Sequence, residues 1–414
     1  MQPPEIPANT ANKRSRIEFI DCLRGFALAS ICIVHFMEQY LGAAAPAGME
    51  NYGQHGPADS FLEAIAFILI RGKGFALFSF MFGLSFALQL IRREDGVGKG
   101  RFVWRMVILL LIGLGHSFLY RGDILSIYAL LAVPLLWFEK LRDKTLIIIA
   151  LVLMLGAPRM VLTAVQSKPS AEAAAAAKKL DDASALAHFK TSKEGPFIKA
   201  MQQNITVGVK DRLGFQFGEF SRGYQTFAYF LLGMVAGRKR WFEDLAGNSG
   251  LFRRLCRWAG GLSIAIPVVA IALFFAFKPA AGAPETESSP WVMLAGLSAY
   301  DAWNFANTLL YITGFALLFQ RSWWNQTLSK LAPFGRMGLT NYVTQSLLGG
   351  LVFFSIGLGK LGEIGNLVTL SIALGVICLQ MVVSRLWLAQ FRFGPMEWIW
   401  RCLTKLRLET LRRA

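Results

Sequence analysis

The chain has 414 residues, of which 54% are hydrophobic and only 17% charged, and its mean hydropathy is +0.45, a balance that excludes an ordinary soluble globular domain. A formal net charge of +17 does not indicate nucleic-acid binding, because the basic residues fall in short clusters between apolar runs and not along one face. The five cysteines, Cys22, Cys32, Cys256, Cys378 and Cys402, form no CxxC pair and show no metal spacing, so no disulfide framework follows.

Residues 1–16 form a polar tail carrying Lys13, Arg14 and Arg16, and the apolar run behind it lacks a small-residue cleavage site, which predicts a retained first helix. Apolar runs then predict membrane spans near 20–42, 72–91, 103–120, 123–138 and 145–166. Five more follow near 223–237, 258–278, 299–320, 338–358 and 366–390. With the N-terminus inside, the clusters around Arg92/Arg93/Arg101, Lys140/Arg142/Lys144, Arg238/Lys239/Arg240, Arg321/Lys330/Arg336 and Arg407/Arg412/Arg413 all fall on the cytoplasmic side.

The pattern predicts an all-α polytopic bundle of about ten transmembrane helices in an inner membrane, with both termini cytoplasmic. Its parts are the tail 1–16, a single membrane domain 17–393 with an extracytoplasmic loop 167–222, and a cytoplasmic amphipathic segment 394–414. The Ala-rich start of that loop predicts short surface helices. Residues 60–70 are too short to span, and a continuous helix from 60 to 91 would be roughly 48 Å long, so a break is predicted at Arg71-Gly72-Lys73-Gly74. HExxH, acidic pairs at ligand spacing and a helix-opening GxGxxG are all missing, which leaves metal and hydride chemistry without support.

Ionisable groups inside spans cost several kcal/mol unless paired or hydrated, so each is a candidate for function or for binding helices together. At cytoplasmic depth Asp21 and Arg24 lie three residues apart and can pair. Arg105 opens the third span at the same level, and Asn341, Tyr342 and Gln345 open the ninth; these read as substrate-binding groups or as structural hydrogen bonds. His35 lies 14 residues past Asp21, about 21 Å up its helix, and His116 lies 11 past Arg105, about 16 Å up in the same direction. Asp123 and Tyr128 head the fourth span close by. Histidine takes and returns a proton near neutral pH and a carboxylate fixes its tautomer, so His35, His116 and Asp123 form the catalytic candidates. His55 and His188 sit in outside loops and read as solvated.

The segments RIEFIDCLRGFALASICIVHF (16–36), FSFMFGLSFAL (78–88), RFVWRMVILLLIGLGHSFLYRGDILSIYALL (101–131), GRMGLTNYVTQS (335–346) and FGPMEWIWR (393–401) resemble the YeiB-type bacterial membrane proteins, built around domain of unknown function 418. The first of them is also similar to the first helix of the acyltransferase-three family, whose Asp-x-x-Arg and His-Phe are matched by Asp21, Arg24, His35 and Phe36. That resemblance implies a transmembrane acyl transferase: a donor, usually acyl-CoA, arrives from the cytoplasm, and an envelope sugar or lipid is modified at or beyond the outer face. It implies no permanently bound cofactor. On this reading Arg24, Arg93 and Arg105 meet the donor's phosphates, and His35 is the general base, oriented by Asp123 or assisted by His116. The family's closely spaced arginines are only partly matched, by Arg92, Arg93, Arg101 and Arg105. A transporter or lipid flippase would use the same buried groups as a path, and a scaffold would not turn over at all; membrane lipids, not nucleic acid, are the expected surroundings in each case.

Overall fold

A computed structural model describes residues 8–91, 98–165, 170–218, 220–276 and 290–413. Its regular structure among these residues is helical, joined by turns and loops, apart from one isolated antiparallel bridge between Phe391 and Arg412. In order the helices are α1 (Ala8–Met37), α2 (Pro57–Leu69), α3 (Lys73–Phe86), α4 (Lys99–Ser117), α5 (Leu125–Ala132), α6 (Leu135–Phe138), α7 (Asp143–Met154), α8 (Ala157–Val165), α9 (Ala171–Glu194) and α10 (Phe197–Ile205). They continue as α11 (Val207–Phe217), α12 (Arg222–Arg238), α13 (Ser249–Ala276), α14 (Pro290–Phe319), α15 (Ser322–Leu328), α16 (Ala332–Arg336), α17 (Gly338–Phe353), α18 (Asn366–Gln390) and α19 (Pro395–Lys405).

Six helical runs are long and apolar enough to cross a bilayer, and a seventh is the pair α7–α8, bent by 53° where Gly156 turns through φ 82. They mark a membrane protein. The ten apolar runs of the sequence exceed this number at α5–α6, α12 and α17, which are shorter. Two of these, α12 and α17, are inner helices: most of α12 is buried, and the buried positions of both include Thr, Gln, Asn or Ser side chains that lower their hydropathy. The run Pro57–Gln89 is interrupted at Ile70–Gly72, where Gly72 takes φ 82 and α3 begins.

The interior is aromatic: Phe19 stacks on Phe242 with centroids 5.1 Å apart, and Phe242 on Phe252 at 5.6 Å. Close approach of α3 and α12 depends on Gly83 and Gly233, because a Cβ at either would overlap the other helix's backbone. Outward faces stay apolar and exposed at Ile148, Ile264, Phe274 and Leu386, a surface that hydrocarbon covers at no cost. The segment after Gly394 starts a helix at Pro395, as the fixed φ of proline favours, and α19 docks on the start of α4: Trp104 Nε1 donates to the Leu403 carbonyl at 3.0 Å and Trp400 Nε1 to that of Arg105 at 3.3 Å.

Residues 167–222 include the three helices α9, α10 and α11, but this segment is not simply solvated. His188 of α9 is buried and donates from Nε2 to the Leu41 carbonyl at 3.1 Å, correcting the sequence reading; burial, with Arg121 nearby, pushes its pKa down to about 4. His55 is exposed.

Candidate functional site

Beyond Met37 the chain reverses through Gln39 and Tyr40, both at positive φ (47 and 54). Such a conformation costs energy in non-glycine residues, and here the buried Gln39 side chain holds it, donating to the Ile364 carbonyl at 2.9 Å and accepting from Gly362 N at 2.7 Å. The turn brings the Tyr40 ring back to His35, 5.5 Å between centroids, while Tyr120 approaches His35 to 4.9 Å. His35 lines a cavity of about 1010 Å³ at the end of α1, together with Glu38, Arg71, Arg121, Asp123 and Arg212. Arg71 pairs with Glu63 at 2.7 Å, and Arg121 with Asp211 of α11.

Behind this cavity a second group assembles. Asp123 caps α5, accepting from Leu125 N (3.2 Å), Ser126 N (2.9 Å) and Ser126 Oγ (2.7 Å). Its Oδ1 lies 2.8 Å from His116 Nδ1, and His116 Nε2 lies 2.9 Å from Ser346 Oγ on α17. In the tautomer with its proton on Nδ1, His116 donates to Asp123 and its Nε2 accepts from the Ser346 hydroxyl, which also lies 3.4 Å from the Tyr342 carbonyl. Arg212 reaches in from α11, 2.6 Å from Ser117 Oγ and 3.6 Å from Asp123 Oδ2. Helix α11 thus contributes a cation to a buried site.

A smaller cavity of about 240 Å³ opens at the other end of the bundle. Arg24, Arg105 and Arg336 line it, with Phe78, Phe82 and Leu109 among its apolar walls. Arg24 pairs with Asp21 at 2.9 Å, and Arg105 donates to Gln89 Oε1 at 2.7 Å with its guanidinium 5.0 Å from the Trp400 ring centroid. Ile31 and Ile124 line both cavities and so form the partition between them. Asp123 lines the outer cavity and Tyr342 the inner one, and the Tyr342 ring is 4.9 Å from that of His116. His116 thus touches one lining residue of each cavity, while neither it nor Ser346 lines either one.

The other candidates are distributed as follows. Tyr128 lines the inner cavity and shares a 2.6 Å hydrogen bond with Ser79. Asn341 donates to the Phe334 carbonyl and to Ser384 Oγ, each at 3.0 Å, and Gln345 to Gln380 Oε1 at 2.9 Å; both tie α17 to neighbouring helices and line neither cavity. Asp123 orients His116 and not His35, because its Oδ1 is shared by His116 Nδ1 and Leu125 N and its Oδ2 accepts from Ser126. Arg93 lies outside the described residues. Among the described residues no cluster of three or more metal-ligating side chains occurs. Ser346 and Arg212 escaped the sequence reading, and Arg336 entered it only as part of a basic cluster; Ser346 follows Tyr342 by four residues on one helical face, the signal it offered.

The fold and these two cavities define a polytopic helical membrane protein with a buried polar centre in its middle. Comparison with known proteins places it further: the chain belongs to the DUF418 family of proteins of unknown function. That family matches residues 236–407. The chain is 30% identical to the uncharacterized protein YxaH of Bacillus subtilis (strain 168), over 94% of each chain. It is 28% identical to the uncharacterized protein YeiB of Escherichia coli (strain K12), over 93% of this chain and 95% of YeiB. An uncharacterized 39.9 kDa protein in the amylase 3′ region of Bacillus acidopullulyticus is 24% identical over 94% of each. No solved structure matches the chain.

Proposed function

We propose that this protein is a transmembrane acyl transferase of the bacterial inner membrane, with ten helical passages and both termini in the cytoplasm. Ten follow when α5–α6, α12 and α17 are added to the six long runs and the bent pair, and that count keeps every basic cluster on one side. Acyl-CoA enters the inner cavity with its phosphates at Arg24, Arg105 and Arg336, where guanidinium pairs well with phosphate. Its chain lies against Phe78, Phe82 and Leu109 and its thioester reaches the partition. An envelope sugar or lipid presents a hydroxyl in the outer cavity, and His35 takes that proton; its buried Nδ1 makes no hydrogen bond among the described residues.

The observation that carries this reading is that Ile31 and Ile124 line both cavities, so a basic, apolar donor site and a histidine-lined acceptor site share one thin wall. Its test is an Ile124→Trp variant, which fills the partition. In nanodiscs supplied with labelled acyl-CoA and envelope lipid and glycan extracts, the wild type yields a covalently acylated acceptor, and Ile124→Trp loses that product while still binding acyl-CoA. Uptake or flipping of an intact lipid with no covalent product would replace the enzyme by a transporter.

A further inference from the structure

Direct transfer needs only His35 at the acceptor, yet an Asp123–His116–Ser346 chain runs from a residue of the outer cavity to the helix that carries Tyr342 of the inner one. Asp123 Oδ1 meets His116 Nδ1 at 2.8 Å and His116 Nε2 meets Ser346 Oγ at 2.9 Å. A carboxylate on Nδ1 and a hydroxyl on Nε2 is the order of groups that turns a serine hydroxyl into a nucleophile. A histidine that merely joined helices would have no need of this order. Asp123 accepts from Leu125 N, Ser126 N and Ser126 Oγ, and this acceptor environment favours donation by His116 Nδ1, the tautomer that lets Nε2 receive the serine proton. Around the chain His35 Nδ1 and the hydroxyls of Tyr40 and Tyr342 are buried and have no hydrogen-bond partner among the described residues. Unfilled polar groups grouped in one buried place point to a polar ligand that fills them.

We infer that Ser346 carries the acyl group between the two cavities as an ester, an inference that rests on the acyl-transfer reading and supplies its intermediate. Tyr342, one turn before Ser346 on the same face of α17, lines the inner cavity, and a swing of its ring opens Ser346 to the donor. In the first step Ser346 Oγ attacks the thioester carbonyl; the C–O bond forms, the C–S bond breaks, and the Oγ proton passes to His116 Nε2, whose positive charge Asp123 balances. The coenzyme leaves inward as the thiolate and takes its proton from cytoplasmic water. In the second step the acceptor hydroxyl gives its proton to His35 and its oxygen attacks the acyl carbon. The new C–O bond forms, the bond to Oγ breaks, and Oγ recovers the proton held by His116. His35 then releases its proton to the outer cavity. The sum is thioester plus alcohol to ester plus thiol, with one proton taken up on the cytoplasmic side and one released to the outer cavity, and no oxidant or reductant. Ser346 is only 2% exposed, which shields such an ester from water until an acceptor arrives.

The test uses the full-length protein in nanodiscs and two probes read by peptide mass spectrometry: a fluorophosphonate, which reports activated serine whatever the donor, and labelled acyl-CoA without acceptor. The fluorophosphonate is expected to mark Ser346 in the wild type, at least about 100-fold more slowly in His116→Gln, and not in Ser346→Ala. Acyl-CoA is expected to leave an ester on Ser346 that acceptor discharges. Ser346→Cys, which keeps a nucleophile at the position, should form an adduct cleaved by neutral hydroxylamine, and this covers the case in which Ser346→Ala misfolds. Transfer to acceptor at the wild-type rate in Ser346→Ala, or transfer with no adduct at Ser346, overturns the relay and leaves direct transfer standing. Fluorophosphonate labelling of Ser346 without transfer from any acyl thioester keeps the activated serine and overturns the acyl-transfer reading beneath it.

Discussion

Tyr120 stands beside both histidines, its ring 4.9 Å from that of His35 and 6.1 Å from that of His116, yet the two histidines share no hydrogen bond. His116 is committed on both nitrogens, whereas His35 faces the outer cavity. The two therefore respond differently to substitution. His116→Ala removes one of the hydrogen bonds that the buried Asp123 carboxylate accepts, and leaving a buried acceptor short of a donor costs about 1–3 kcal/mol. A fall in melting temperature and detergent lifetime is expected for His116→Ala and not for His35→Ala, measured by fluorescence-detected thermal unfolding. Equal losses would mean that His35 is a structural group as well.

Asp21 and Arg24 form the pair at 2.9 Å, one turn apart on α1. Removing either alone leaves a charge in a largely buried place, so the single substitutions Asp21→Asn and Arg24→Gln should each destabilise more than half of what the double substitution does. Their coupling energy in a double-mutant cycle should fall at about 0.5–3 kcal/mol. Additive losses would show two independent groups.

His188 makes the outer helices pH-sensitive. Its pKa is pushed down from 6.5 to about 4 by burial, so it stays neutral when folded while the unfolded chain binds a proton below 6.5. Its contribution to stability is complete above pH 6.5 and is lost as pH falls from there toward 4. Hydrogen-exchange protection factors in α9 should fall as pH drops through that window in the wild type and show a flatter pH dependence in His188→Gln. An α9 whose protection is the same at both ends of the window would exclude the effect.

Much of the fold was legible in the sequence. The break before Lys73 followed from a run too long for a bilayer and from Gly72, which adopts φ 82 in the structure. The Asp21–Arg24 pair followed from helical spacing. Helical depth put His35 and His116 at comparable levels, but depth does not give rotation about the helix axis, so it did not show which one faces the cavity. Asn341 and Gln345 looked like substrate groups because their partners, Ser384 and Gln380, sit in a run that reads as plain apolar helix. Ser346 was invisible for a related reason: a hydroxyl in a membrane helix ordinarily bonds its own backbone, and only tertiary structure sets it against His116.

Topology is tested by reporter or cysteine accessibility. Positions near 50 and 190 should react from outside, and positions near 245, 328 and 410 from the cytoplasm, as the basic clusters require. A cytoplasmic position 190 would remove the ten-passage arrangement and place α9 to α11 on the wrong side of the acceptor.

The central claim is that His35 takes the proton of an acceptor hydroxyl during acyl transfer, and its most direct measurement is the turnover of labelled acyl-CoA into acylated acceptor by wild type and His35→Ala proteoliposomes of matched stability. A general base contributes typically about 10²–10⁴-fold, so His35→Ala should fall by that factor with its melting temperature near the wild-type value. Full turnover in His35→Ala, or in His35→Asn, would contradict the account.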